Sequence, residues 1–148
     1  MNTVTSQTPA AEQAAHDFDE AGRHFLPGHL GIHVIAVSKG EASAELEVMP
    51  HLLAPNGFLH AGSVVTLADT ACGYGCLASM PEGASSFTTV ELKSNHLGTA
   101  REGKIEVIAT AAHLGRTTQV WDATVSHKGK TIALFRCTQM ILFPKKEA

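Results

Sequence analysis

Along the 148 residues the spacing of apolar positions changes twice, and each change marks a different element. Residues 1–16 are polar and Ala-rich without a periodic apolar face, which predicts a flexible start that adds little to a core. Residues 17–26 predict a short helix stopped by Pro27 and Gly28. The period then becomes two. Ile32, Val34 and Ala36 alternate with His33, Ile35 and Val37, and after Lys39-Gly40 a second alternating run, Ala42-Ala44-Leu46-Val48, leads to Pro50. That pattern is a hairpin. A loop with the turn Pro55-Asn56-Gly57 follows. The run from Ala61 to Met80 is too long for one strand and ends at Pro81-Glu82-Gly83, so it predicts the main helix. Beyond it lie SFTTVELKSNHLG, KIEVIATAAHLG with RTTQVWDATVSHKG, and KTIALFRCTQMILF, separated at Gly98, Gly103, Gly115 and Gly129, with Lys128-Gly129-Lys130 a tight hairpin turn. Two strands, a long helix and about four strands imply an α+β class: one antiparallel sheet curling around one apolar helix.

The helix departs from the usual one-stripe pattern. Val64, Val65, Leu67, Ala68, Ala71, Cys72, Tyr74, Cys76 and Leu77 occupy most of its circumference, so it needs cover on nearly every side. Gly73 and Gly75 each cost about 1 kcal/mol against alanine in a helix interior, which implies a close neighbour there, from the sheet or from a second copy of the helix. Amid this apolar surface sits one acid, Asp69, with Val65 and Gly73 four residues to either side and thus no local cation. It faces a solvent gap, or caps a neighbouring loop, or is a reactive carboxylate held in a cleft. His60-Ala61-Gly62-Ser63 supplies free amides and the positive end of the helix dipole, suited to a carbonyl oxygen gaining negative charge. Yet Asp69 lies seven residues beyond Gly62, roughly 10 Å along the axis, and cannot attack a carbonyl held at its own helix start. An antiparallel second subunit would bring the acid of one chain to the helix start of the other.

Composition narrows the choice. A net charge of −3, from 11 basic and 14 acidic residues without blocks, gives no footprint for nucleic acid or an anionic membrane. No apolar run spans a bilayer and the first 23 residues lack a secretory pattern, so a cytoplasmic protein is expected. Cys72, Cys76 and Cys137 are odd in number and apolar in context, expected as buried free thiols rather than a disulfide framework. Nine histidines raise the question of a metal, but His29 and His33 straddle a loop-to-strand transition and no HExxH or Cys-x-x-Cys pattern accompanies them, so none is expected. Neither a G-x-S-x-G elbow nor a G-x-x-x-x-G-K loop is present. Residues 17–148 are expected to form one domain after the flexible segment 1–16.

Asn56-Gly57, His60, a small pair and then an acid nine residues after the histidine within Leu67-Ala68-Asp69 make a recognisable phrase. With Thr89-Val90-Glu91-Leu92 and HLGRTTQVWDATV, it resembles the hotdog-fold acyl-CoA thioesterases of the phenylacetic-acid-degradation type, relatives of the 4-hydroxybenzoyl-CoA thioesterases, from about His24 to Leu142. The resemblance implies a curved antiparallel sheet wrapped around one central helix, and a homodimer assembled into a homotetramer. It implies that Asp69 is nucleophile or general base toward a thioester carbonyl. The amides around Ala61 and Gly62 would form the oxyanion hole, Thr89 would orient the carboxylate or the water, and His60 would position the thioester or the loop. No cofactor is implied, because coenzyme A is part of the substrate, an aromatic or medium-chain acyl-CoA. Arg116, Lys93 and Arg101 are candidates for its nucleotide part.

The chain departs from that family in two places. Relatives commonly have Gly-Gly after the histidine where this chain has Ala61-Gly62, and an Asn or Gln six residues before it where this chain has Ala54. Asn56 could substitute for that amide if its turn directs it inward, or could simply make the turn. Two rival readings remain: a hydroxyacyl-thioester dehydratase or enoyl hydratase on the same fold, whose His-Phe-Pro type of motif is absent, and a non-catalytic acyl-CoA-binding module.

Overall fold

In the computed structural model, which describes residues 8–147, the period-two runs form six strands of one antiparallel sheet. They are β1 (His33–Ser38), β2 (Glu41–Glu47), β3 (Ser86–His96), β4 (Lys104–Leu114), β5 (Thr118–His127) and β6 (Lys130–Leu142), side by side in the order β1-β2-β4-β5-β6-β3. Short turns set the register. Lys128 and Gly129 both take positive φ, 50° and 77°, as a two-residue loop needs when its twist must match the flanking strands, and His127 pairs with Lys130 across it.

Alternation then decides which side chains face inward. On β5 Gln119, Trp121, Ala123 and Val125 are buried; on β6 Ala133, Phe135, Cys137, Gln139 and Ile141 are. The main helix, α3 (Ala61–Ala78), lies on this face and touches all six strands, which is the sheet-around-helix arrangement expected. The two helical glycines mark the closest approaches. A β-carbon at Gly75 would stand 2.6 Å from the Trp121 ring, and one at Gly73 3.2 Å from Phe87 Cζ, so sheet side chains rather than a second helix fill the space.

The start of the chain differs from expectation. Helix α1 spans Pro9–Gly22, overlapping the segment expected to be flexible, of which residues 1–7 lie outside the described residues. Thr8 caps it, its hydroxyl accepting from the Ala11 N–H at 3.2 Å, and Pro9 occupies the first turn where no donor is needed. Its buried stripe is Ala11, Ala15 and Gly22, with Phe18 stacked on Tyr74 of α3 at 4.5 Å between centroids. A stripe of alanines carries little hydrophobic signal, yet it lets the helix lie close against β1. Pro27 does not stop a helix but opens the short α2 (Leu26–Leu30).

The two sheet edges are treated unequally. At β1, Asp19 of α1 accepts from the Val34 N–H at 2.8 Å and binds the His33 ring at 2.7 Å, so the helix covers that edge. At the other edge β3 is bare, with Val90 53% and Leu92 44% exposed and a bulge between Thr89 and Glu91. Cys72, Cys76 and Cys137 are buried free thiols. The hydrogen bond between Cys72 and Cys137, with burial, pushes the Cys72 thiol well above its ordinary range, and burial pushes Cys76 up to about 12, so both stay protonated and inert. Among the described residues no helix is long and apolar enough to cross a membrane.

Candidate active site

The start of α3 is built by its own cap. His60 Nδ1 accepts from the Gly62 N–H at 2.8 Å, so the side chain caps the helix through this ring nitrogen. The Ser63 and Val64 amides donate to the His60 carbonyl at 2.9 and 3.4 Å. Ser63 Oγ in turn donates to Leu52 O at 2.9 Å, and the Leu59 N–H to Ala100 O at 2.9 Å, so loop, helix start and the segment after β3 are tied together. Of the first four helix amides, only that of Ala61 has no partner among the described residues. Of the two amides expected to bind an oxyanion, that of Gly62 donates to the histidine cap and that of Ala61 is unpartnered among the described residues, at the positive end of the helix. This accounts for the Ala61-Gly62 pair. A side chain at position 61 is exposed and harmless, whereas a β-carbon at 62 would lie 2.9 Å from His60 Nδ1.

Asp69 sits two turns further on. Its Oδ1 is buried without a hydrogen-bond partner, and no cation pairs with it among the described residues. Burial raises its carboxyl above the ordinary carboxylate range. It caps no loop among the described residues, and an acid half-buried without a partner is compatible with a solvent gap as well as with a reactive group. Eight residues separate it from Ala61, about 12 Å along the axis.

Which strand Asp69 faces follows from its neighbours. Gly73, one turn later on the same helix face, abuts Phe87 of β3. Helix α3 and β3 run antiparallel, since the helix starts near Ala100, just past the end of the strand. Stepping back one turn on the helix, about 6 Å, and forward two residues on the strand, about 7 Å, brings Asp69 level with Thr89. Thr89 shares the inner face with Phe87, but its hydroxyl donates to Gln139 Oε1 at 2.7 Å rather than to the acid. After the bulge the inner face continues as Leu92, Ser94 and His96, opposite Cys137, Phe135 and Ala133. Ser94 Oγ is also buried without a partner. Neither Ser94 nor Gln139 stood out in the sequence. For Gln139 the available signal was a polar residue at an inward position of a strand whose other inward residues are apolar or thiol.

Other expected residues are placed apart. Asn56 is exposed and its Oδ1 accepts from the Phe58 N–H at 3.1 Å, so its oxygen closes the turn. Arg101 lies over the Phe58 ring at 4.1 Å and Arg116 over Phe143 at 4.7 Å. These sites are at opposite ends of β3 and β6, on the order of 30 Å apart at the strand rise, so one chain cannot use both for one nucleotide. Lys93 is on the outer face beside Arg136, whose guanidinium is held by Asp122 at 2.5 and 2.7 Å. Among the described residues no three His, Cys, Asp or Glu side chains converge as metal ligands.

The arrangement matches known proteins along most of its length. The profile of the family described as Thioesterase superfamily matches residues 56–134, which hold the turn, His60, Asp69 and Thr89. A 1,4-dihydroxy-2-naphthoyl-CoA hydrolase of Listeria monocytogenes is 34% identical over 110 residues, covering 74% of this chain and 89% of that protein. Acyl-coenzyme A thioesterase PaaI of Escherichia coli is 31% identical over 109 residues, 72% of this chain and 75% of that one. The crystal structure of a mutant thioesterase from Pseudomonas aeruginosa superposes with a TM-score of 0.82 at 30% identity, covering 94% of this chain and 98% of the other. With the helix-wrapped sheet, the capped helix start and the lone acid in place, the chain belongs to the thioesterase superfamily and is a hydrolase of the hotdog fold.

Proposed function

We propose that the protein hydrolyses an aromatic or medium-chain acyl-CoA to the free acid and coenzyme A, at two equal sites across a homodimer. The observation that carries this reading is the half-buried Asp69, whose Oδ1 is buried without a partner, on a helix whose first amide, that of Ala61, is also unpartnered among the described residues. Within one chain the two are about 12 Å apart, too far to act on one carbonyl. A second copy joined along the bare β3 edge covers Val90 and Leu92 and turns its α3 antiparallel to the first. Each Ala61 amide then receives the thioester oxygen while the partner's Asp69 acts on the carbonyl carbon. The dimer also puts Arg101 of one chain at the same end as Arg116 of its partner, giving the nucleotide of coenzyme A a basic cradle. Association of dimers into a tetramer and a cytoplasmic location complete the reading. Aryl thioesters come first on the substrate panel, because the Listeria relative is named for a naphthoyl-CoA.

Thiol release from a panel of aryl and medium-chain acyl-CoAs, followed with a disulfide dye, tests the proposal, with Asp69→Asn as control and sedimentation to give the oligomer. Hydrolysis by the wild type and a loss of at least about a hundredfold in the variant is expected. Equal rates for both proteins would remove Asp69 from the chemistry. Tight binding of acyl-CoA without turnover would leave a binding module, and a monomer that is fully active would refute the shared site.

A further inference from the structure

Two glutamines, Gln119 and Gln139, lie directly opposite each other on β5 and β6, and both are fully buried. Such groups are costly in a core unless the fold uses them. Gln119 has an evident structural use. Its amide donates to the Ser79 carbonyl at the end of α3 at 2.9 Å, and its oxygen accepts from the Trp121 indole at 2.8 Å. Gln139 holds no such element. Its amide reaches only Cys137 Sγ, at 3.5 Å, and its oxygen takes the hydroxyl hydrogen of Thr89, on the exposed edge strand, at 2.7 Å. Its neighbours at inward positions of β6, Phe135, Cys137 and Ile141, pack without oxygen or nitrogen, so an apolar side chain would serve the core there equally well.

The geometry points to Gln139 as a positioning residue that turns Thr89 into a hydrogen-bond acceptor for the attacking water, and thereby makes Asp69 a general base rather than a nucleophile. The inference rests on the thioester hydrolysis proposed above. With its hydrogen given to Gln139, Thr89 can stabilise no carboxylate by donation; only its lone pairs remain for the site, level with Asp69. A water there donates one hydrogen to Thr89 Oγ1 and the other to Asp69. Its oxygen forms the bond to the carbonyl carbon as that proton passes to Asp69, and the carbonyl electron pair moves to the oxygen held by the Ala61 amide of the partner chain. Collapse of this intermediate breaks the C–S bond, and Asp69 returns its proton to the departing thiolate. Gln139 touches none of the reacting atoms and acts through Thr89 alone.

Steady-state kinetics of Gln139→Met, Thr89→Val and the double variant on the best acyl-CoA test this, with thermal unfolding run alongside. Expected is a fall in kcat of about tenfold or more for each single variant with KM within about twofold. The double variant should be no slower than Thr89→Val alone, because Gln139 has nothing to position once the hydroxyl is gone. A multiplied loss in the double variant, or an unchanged kcat in Gln139→Met, would overturn the inference while leaving the hydrolase reading intact. A Gln139→Met chain that fails to fold would overturn it too, by showing that the amide holds the sheet together. Absence of thiol release from the wild type would remove both readings at once.

Discussion

Replacing Gly62 with alanine separates the stability of the helix start from its chemistry. A β-carbon there would stand 2.9 Å from His60 Nδ1 and 3.1 Å from Cε1, so the ring must swing away and the 2.8 Å bond from the Gly62 N–H is lost. Loss of a capping acceptor costs about 1 kcal/mol. Alanine is the better helix former by up to about 1 kcal/mol, less at a helix end than in its interior. The two terms nearly cancel, so the net change should stay within about 1 kcal/mol, a shift in Tm of roughly 2–4 °C for a chain of this size. Activity should not be spared. Loss of the cap disturbs the helix start that holds the Ala61 amide, and if that amide is the oxyanion donor proposed above, weakening it costs roughly a hundredfold in kcat. Calorimetry, thiol-release kinetics and the 15N resonances of the His60 ring measure the three effects. An unshifted Nδ1 resonance with full activity would show that the ring does not depend on a bare position 62. A fall in Tm beyond about 10 °C would show that the cap is not the main thing lost.

Asp69→Asn bears on stability as well as rate. Because burial raises the Asp69 carboxyl in the folded chain, that chain binds the proton more tightly than the unfolded one, and stability falls as pH rises from the ordinary carboxylate range through the raised folded value. The variant lacks this loss, so its Tm should exceed that of the wild type at pH 8, with the gap narrowing toward about pH 4; a gap independent of pH would refute the assignment to ionisation. Gly75→Ala should lower stability by about 1–2 kcal/mol, since a methyl 2.6 Å from the buried Trp121 ring overpacks the core by more than the gain in helix propensity. Urea unfolding with an unchanged slope and a lower midpoint checks it, and a higher midpoint would show that the indole yields freely.

Much of the architecture was legible because it rests on local periodicity. Alternation in β1, β2 and β4–β6 and the long apolar run of α3 each leave a strong one-dimensional trace, and Lys128-Gly129 is a turn by its own chemistry. Asp69 stood out for the same reason, as a charge with no cation within one turn. Helix α1 did not, since alanine fits against a strand without registering as hydrophobic, and only the proximity of β1 and α3 gives Ala11, Ala15 and Phe18 something to bury against.

Hydrogen-bond assignments were not legible at all. Whether Gly62 offers its amide to a substrate or to His60, whether Thr89 donates to an acid or to a glutamine fifty residues away, and whether Asn56 turns inward or closes its own turn depend on distances set by packing. The sequence by itself determined the elements, their order and the presence of an isolated acid on an apolar helix, because these follow from side-chain chemistry and spacing along one chain. Tertiary structure decided which donors remain free, that Arg101 and Arg116 lie at opposite ends of the sheet, and that one sheet edge is covered while the other is bare. Those outcomes depend on strand order and crossing geometry, which bring together residues that no local pattern relates.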